Sequence, residues 1–198
     1  AVPRPQLVEK FGGDSARLTS GPFLPTSAWQ PADALPTVED RARASKLMEE
    51  AGYKRQGGVW TKNGEAVSLR WGVQGDLLDD YNDVVYGLND AWEEAGFNVR
   101  VRPIRTTDWR ERVEAGGAGE TFDLILGRWN IDREEAVLDL FGKVREGERQ
   151  VNLFAYKSDE VQKLVESYYN ETSGPKREAL MQKLHRYLHD DRPYLFLW

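Results

Sequence analysis

Three carboxylates stand just beyond the apolar run of FDLILGRW: Asp132, Glu134 and Glu135. Ligand contacts in α/β proteins gather where such strands end, because side chains there emerge at the sheet edge. A carboxylate so placed accepts charge-assisted hydrogen bonds from an ammonium group. A pair of carboxylates at a fixed separation would instead serve glycoside hydrolysis. The chain has 33 Asp and Glu residues, enough for such pairs to arise by chance. Trp109 and Trp129 flank the same strand and offer apolar faces to a peptide side chain or a sugar ring, or else to the core.

Other constellations carry less. Asp76, Asp79, Asp80 and Asp83 crowd the start of a predicted helix. Their spacing does not match an EF-hand loop, and anionic side chains stabilise a helix N-terminus without any metal. His185 and His189 are the two histidines, and their i, i+4 spacing sets both on one helical face. With no carboxylate in an HExxH-like pattern, a surface or packing role is the simpler reading. Cysteine is absent, which removes disulfides, thiolate metal sites and thiol nucleophiles. Serines and threonines occur without a GxSxG elbow. The GGAG stretch, residues 116–119, leads toward a strand and reads as a turn, not a phosphate loop. Arg100, Arg102, Arg105, Arg110 and Arg112 form a basic run, but Val99, Val101 and Pro103 alternate with the first two as on a half-exposed strand. The net charge of −6 opposes a nucleic-acid partner.

The elements that would hold these residues follow from periodicity. The chain has 198 residues, 40% hydrophobic and 30% charged, enough for a packed core. Residues 1–36 read as an irregular lead-in with one brief helix. A weak amphipathic helix over 37–51 stops at Gly52. VWTKNGEAVSLRWGV reads as a hairpin turning at Asn-Gly. Residues 79–96 form the clearest helix, with Tyr81, Val84, Val85, Leu88, Ala91, Trp92 and Ala95 on one stripe. VRVRP, a helix near 107–115, and FDLILGRW, expected to be buried on both faces, complete a strand-helix-strand series. Helices over 159–169 and 175–189 precede PYLFLW, which reads as a final strand. The alternation predicts an α/β fold with at least part of the sheet parallel. No stretch approaches the length of a membrane-spanning helix. The first residue is Ala, which suggests a processed chain or a fragment.

The order of these features resembles the extracytoplasmic solute-binding proteins of the oligopeptide/dipeptide ABC transporters, and the likeness covers nearly the whole chain. AVPRPQL resembles that family's A-x-x-R-x-x-L helix, and GPFLPTSAWQ the proline-rich passage after it. RARASKLMEEAGY resembles its helix ending in A-G-Y, and LNDAWEEAGFNVRV its L-x-x-x-G-I-x-V. FDLILGRW is similar to F-D-x-x-x-x-x-W, and VNLFAY to N-x-x-x-Y. DREEAVLDLF lacks the proline of the family's D-x-x-D-P run, and GGAG stands where some oligopeptide binders carry a basic residue.

The resemblance implies one lobe of a type II periplasmic-binding-protein-like fold, a mixed sheet flanked by helices, with residues 1–198 forming a single solute-binding lobe of a larger two-lobed protein. It implies capture of a peptide-like solute and delivery to a membrane permease, without catalysis and without cofactor or metal. Ligand-contacting roles fall by position on Arg128, Trp129 and Asn130, with Asp132 receiving an α-ammonium and Trp109 lining the pocket. The expected location is periplasmic or extracellular, membrane-anchored as in a lipoprotein. A sensor or protein-interaction domain on the same fold is the alternative, motivated by the altered DREEAVLDLF loop. A hydrolase using Asp132 with a second carboxylate is the third reading.

Overall fold

A computed structural model describes residues 2–14, 16–36, 39–109, 118–128, 133–142, 152, 154 and 156–197. Helix α1 (Arg4–Phe11) opens with Pro5 in its first turn, where a missing N–H costs nothing. The described residues from 12 to 36 form no further helix or strand. Helix α2 (Arg41–Glu50) starts where the Asp40 carboxylate accepts from the Arg43 N–H at 2.8 Å. It ends before Gly52, whose φ of +84° suits a residue without Cβ.

The expected hairpin is present and turns where expected. Strands β1 (Lys54–Gln56), β2 (Val59–Lys62) and β3 (Glu65–Ala66) pair antiparallel, and Asn63 and Gly64 both take positive φ between β2 and β3. Its second arm does not continue as one strand. Strand β4 (Ser68–Gln74) leaves the hairpin and becomes the centre of a separate parallel sheet.

That sheet sets the geometry of everything downstream. Strand β5 (Asn98–Ile104) pairs along the full length of β4, from Ser68↔Asn98 to Gln74↔Ile104. On the other side β6 (Leu124–Leu126) pairs from Trp71↔Leu124 to Val73↔Leu126, giving the order β5-β4-β6. The predicted helix over 79–96 is broken into α3 (Gly75–Asp80) and α4 (Asn82–Glu94) at Tyr81, whose φ and ψ of −129° and 30° leave the helical region. The break turns Leu77 of α3 and Val84, Val85 and Leu88 of α4 into one cluster with Trp71, Val73 and Val99. Alternation along β4 points Gly72 to the opposite face, where Ile104, Trp109 and Phe122 form a second cluster. A Cβ at Gly72 would lie 2.8 Å from Ile104 Cδ1 and 2.9 Å from Phe122 Cδ1, so glycine is required for this close approach.

Several expectations are corrected here. Among the described residues, the strand expected over FDLILGRW is confined to three, each only partly buried, because Phe122 turns under the sheet instead of extending it. The GGAG stretch leads into a helical turn, α6 (Ala118–Thr121), rather than directly into a strand. The helix expected over 107–115 is described only as α5 (Thr106–Trp109), its remainder lying outside the described residues. A 3₁₀ helix, Glu134–Leu140, was not anticipated; it buries Val137, Leu138 and Leu140.

Helices α7 (Asp159–Asn170) and α8 (Gly174–Asp191) form with nearly the predicted bounds, and they pack with the 3₁₀ helix and Phe23 in a third cluster. Arg192, at φ +55°, closes α8, and the described part of PYLFLW is not a strand. Pro193 supplies no ladder N–H. Tyr194 packs edge-on against Phe141 at 5.2 Å, and Leu197 lies against the cluster under β4.

Candidate ligand-binding edge

The C-terminal ends of the three parallel strands lie side by side, and the chain leaves the two sides of β4 on opposite faces of the sheet. From β4 to β5 it passes through α4, which covers the face of Trp71 and Val73. From β5 to β6 its described part passes through Trp109 and Phe122, which cover the face of Gly72. A parallel order that reverses direction in this way opens a crevice beyond the strand ends at the reversal, here between β4 and β6. Gly75 and Asp76 follow β4 at that point, and Gly127 and Arg128 follow β6.

Two contacts fix how β6 presents its end. The Asp123 carboxylate accepts from the Arg70 backbone N–H at 2.7 Å and from the Arg70 guanidinium at 3.1 and 3.0 Å, locking the start of β6 against β4. The hydrogen-bonded Arg70 guanidinium holds the Asp123 carboxyl below its ordinary pKa. Three residues of pairing then bring the chain to Arg128, whose side chain is 52% exposed and lies 3.8 Å from the Asp80 carboxylate. The neighbouring Tyr81 is the main influence raising the Arg128 pKa, with Asp80 and Asp76 adding smaller attractions.

Of the residues singled out from sequence, Arg128 therefore stands at the crevice. Trp109 does not present an open face: it is 7% exposed and packs with Ile104 and Phe122 just beneath the sheet. Trp129, Asn130 and Asp132 lie outside the described residues. Glu134 and Glu135 begin the 3₁₀ helix, and Glu135 accepts from the Tyr168 hydroxyl at 2.9 Å, which ties it to α7. Along β5 Arg100 and Arg102 are exposed between inward Val99 and Ile104, while Arg105 pairs with Asp108 at 3.1 Å. Among the described residues no group of three or more metal-ligating side chains converges.

The histidines occupy a different place altogether. His185 is fully buried on α8, its Nε2 lying 2.8 Å from the Ser20 hydroxyl, and the His189 Nδ1 lies 2.6 Å from the Ser20 carbonyl oxygen. The pair pins residues 19–23 to α8 and has packing, not chemistry, as its evident product.

Asp80 and Tyr81 were missed as neighbours of Arg128. In sequence they read as helix-start charge and apolar stripe, and only the pairing of β4 with β6 brings them together.

The family model described as bacterial extracellular solute-binding proteins, family 5 Middle, matches residues 1–146. No curated protein sequence matches the chain. Solved structures match in fold. The oligopeptide-binding protein AppA from Bacillus subtilis, in complex with a nonapeptide, superposes with a TM-score of 0.81 at 19% identity, over 99% of this chain and 39% of that one. NikZ from Campylobacter jejuni in complex with Ni(L-His) gives 0.80 at 16% identity, over 99% and 39%. The mannohexaose-bound periplasmic oligopeptide-binding protein from Thermotoga maritima gives 0.80 at 18% identity, over 100% and 40%. The chain thus spans 39–40% of the length of these structures. With three-quarters of its length inside the family model and its α/β architecture that of periplasmic binding proteins, this chain belongs to the family 5 bacterial extracellular solute-binding proteins.

Proposed function

We propose that the chain is a ligand-binding lobe of an ABC-transporter solute-binding protein that captures a peptide-like solute outside the cytoplasm and delivers it to a membrane permease. The observation that supports this reading is the reversal of strand order at β4, with β6 leading directly to Arg128, the first residue to which the family resemblance gives a ligand contact. In this reading the main chain from Arg128 to Asn130 pairs with an extended ligand, Trp129 covers it, and Asp132 accepts from its ammonium group. Trp109 supports this edge from below, through Ile104 and Phe122.

A nonapeptide, a nickel–histidine complex and mannohexaose are each bound by proteins of this fold, so solute class is decided by side chains at the edge and not by the scaffold. An ion pair on an open lobe is worth only about 0–1 kcal/mol, and closure of a second lobe is needed to exclude water and strengthen it. The isolated chain therefore binds weakly. The test is calorimetric titration of the two-lobed parent with a pool of dipeptides to pentapeptides, and separately with nickel–histidine and mannohexaose. Saturable peptide binding that Asp132→Ala weakens by about 1.5–3 kcal/mol supports the reading. Binding of either other solute without peptide binding overturns it.

A further inference from the structure

Strand β6 sits in a register that its own side chains do not specify. β5 pairs with β4 over seven residues, and its inward Val99 and Val101 alternate with exposed Arg100 and Arg102, so a slip of one residue would turn arginines onto the covered face. β6 pairs over three, Leu124, Ile125 and Leu126, all apolar and all partly buried. Leu124 and Leu126 pack with the cluster of Trp71 and Val73, and Ile125 with Ile104 and Phe122 on the other face. A slip of one residue exchanges the two faces, and either arrangement meets apolar neighbours. Burial therefore discriminates poorly between registers of this strand.

The residue before the strand does discriminate. The Asp123 N–H donates to the Arg70 carbonyl at 2.9 Å, and the Asp123 carboxylate accepts from the Arg70 N–H at 2.7 Å and from Nε and Nη2 at 3.1 and 3.0 Å. Arg70 Nη1 also donates to the Glu120 carbonyl at 3.2 Å, so one guanidinium grips the chain on both sides of Phe122. A planar fork and a carboxylate fit together in one position, whereas the Phe122 ring under Gly72 is an apolar contact without that directionality. A slip of one residue moves Asp123 by about 3.3 Å along β4 and breaks the whole set. The two side chains are 40% and 35% exposed, so their ion pair adds little to global stability. Fixing registry is the best-attested use of a polar contact set among apolar neighbours.

We infer that Arg70 and Asp123 are positioning residues for the ligand edge: their pairing selects the register of β6 on β4 and thereby sets where the chain emerges at Gly127 and Arg128. The inference rests on the ligand-lobe reading for the use of this edge, and it adds the residues that place it. A slipped β6 delivers Arg128 one position along the strand and turned to the other face of the sheet.

The test uses the two-lobed parent with labelled Ile, Leu and Val methyl groups. The variants are Asp123→Ala, Asp123→Asn and Arg70→Gln. Lys183→Gln, which breaks the 2.7 Å ion pair between α8 and Glu160 of α7, is the control. Register is read from the methyl cross-peak between Val73 and Leu126, partners in the native register. Affinity is read by calorimetry with the pool of dipeptides to pentapeptides. Asp123→Ala is expected to weaken the cross-peak, to add a second set of Ile125 and Leu126 methyl signals, and to lower peptide affinity about tenfold. Arg70→Gln should follow it, and it decides by the same readouts should Asp123→Ala fail to fold. Asp123→Asn keeps an acceptor for the Arg70 N–H and should lose less; Lys183→Gln should change neither readout. A cross-peak at full strength in Asp123→Ala and Arg70→Gln overturns the inference whether or not affinity falls, and so does a lost cross-peak with unchanged affinity.

If the parent binds no peptide, the peptide reading fails separately, and the Arg128 Nε–H resonance, which reports the end of β6, takes the place of affinity. Its shift in Arg70→Gln together with loss of the cross-peak supports the inference. Either signal left unchanged overturns it.

Discussion

His185 and Ser20 stand 165 positions apart in the chain and meet at 2.8 Å, imidazole Nε2 to hydroxyl Oγ, with the ring wholly inside the protein. Gly21 makes the meeting possible, since a Cβ there would lie 2.8 Å from the ring. Phe23 stacks on the same imidazole at 5.9 Å. Residues 19–23 are thereby held on α8 although they belong to no regular element.

This contact predicts an acid sensitivity with a definite sign. Burial, with smaller repulsions from His189 and Arg186, pushes the His185 pKa down from 6.5 to about 4. The folded protein holds the ring neutral while the unfolded chain protonates it below about 6.5, so folding loses stability as pH falls from about 6.5 to about 4. At 1.36 kcal/mol per pH unit the loss is about 3 kcal/mol. Urea unfolding of wild type and His185→Gln at pH 7, 5.5 and 4 checks it. The stability difference between the two proteins is expected to shrink on acidification; a constant difference contradicts the assignment.

Gly72 predicts a steric limit at the centre of the parallel sheet. Gly72→Val drives a branched side chain into Ile104 and Phe122, at a cost of about 1–3 kcal/mol. Pairing it with Ile104→Ala restores part of the loss, which denaturant titration of both variants measures.

Asn152 explains the N-x-x-x-Y pattern. Its amide accepts from the Tyr156 N–H and donates to the Tyr156 carbonyl, both at 2.8 Å, while the residue is 4% exposed. Asn152→Ala leaves two main-chain groups without these partners and is expected to destabilise by about 1–3 kcal/mol. Asn152→Asp keeps the acceptor alone and should lose a comparable amount, read from the urea midpoint.

Much of this is legible in the sequence. The 3.6-residue stripe of Val84, Val85, Leu88 and Ala91 and the Asn63-Gly64 turn are local signals, and both hold. What depended on distant partners was not legible. PYLFLW has the apolar run of a buried strand, but Tyr194 packs on Phe141 and Phe196 on Tyr194, and its described residues join no ladder. Asp80 has the look of helix-start charge, and its nearness to Arg128 follows only from the register of β4 on β6. Trp109 carries the same aromatic signal whether it lines a pocket or, as here, packs beneath the sheet with Ile104 and Phe122.

The central claim is that ligand meets this lobe at the ends of β4 and β6. Hydrogen–deuterium exchange of the two-lobed parent, with and without a saturating peptide pool, tests it most directly. Protection is expected over 75–81 and 127–132, with no change in the hairpin over 54–66. Protection confined to the hairpin, or binding that leaves 75–81 and 127–132 unchanged, would contradict it.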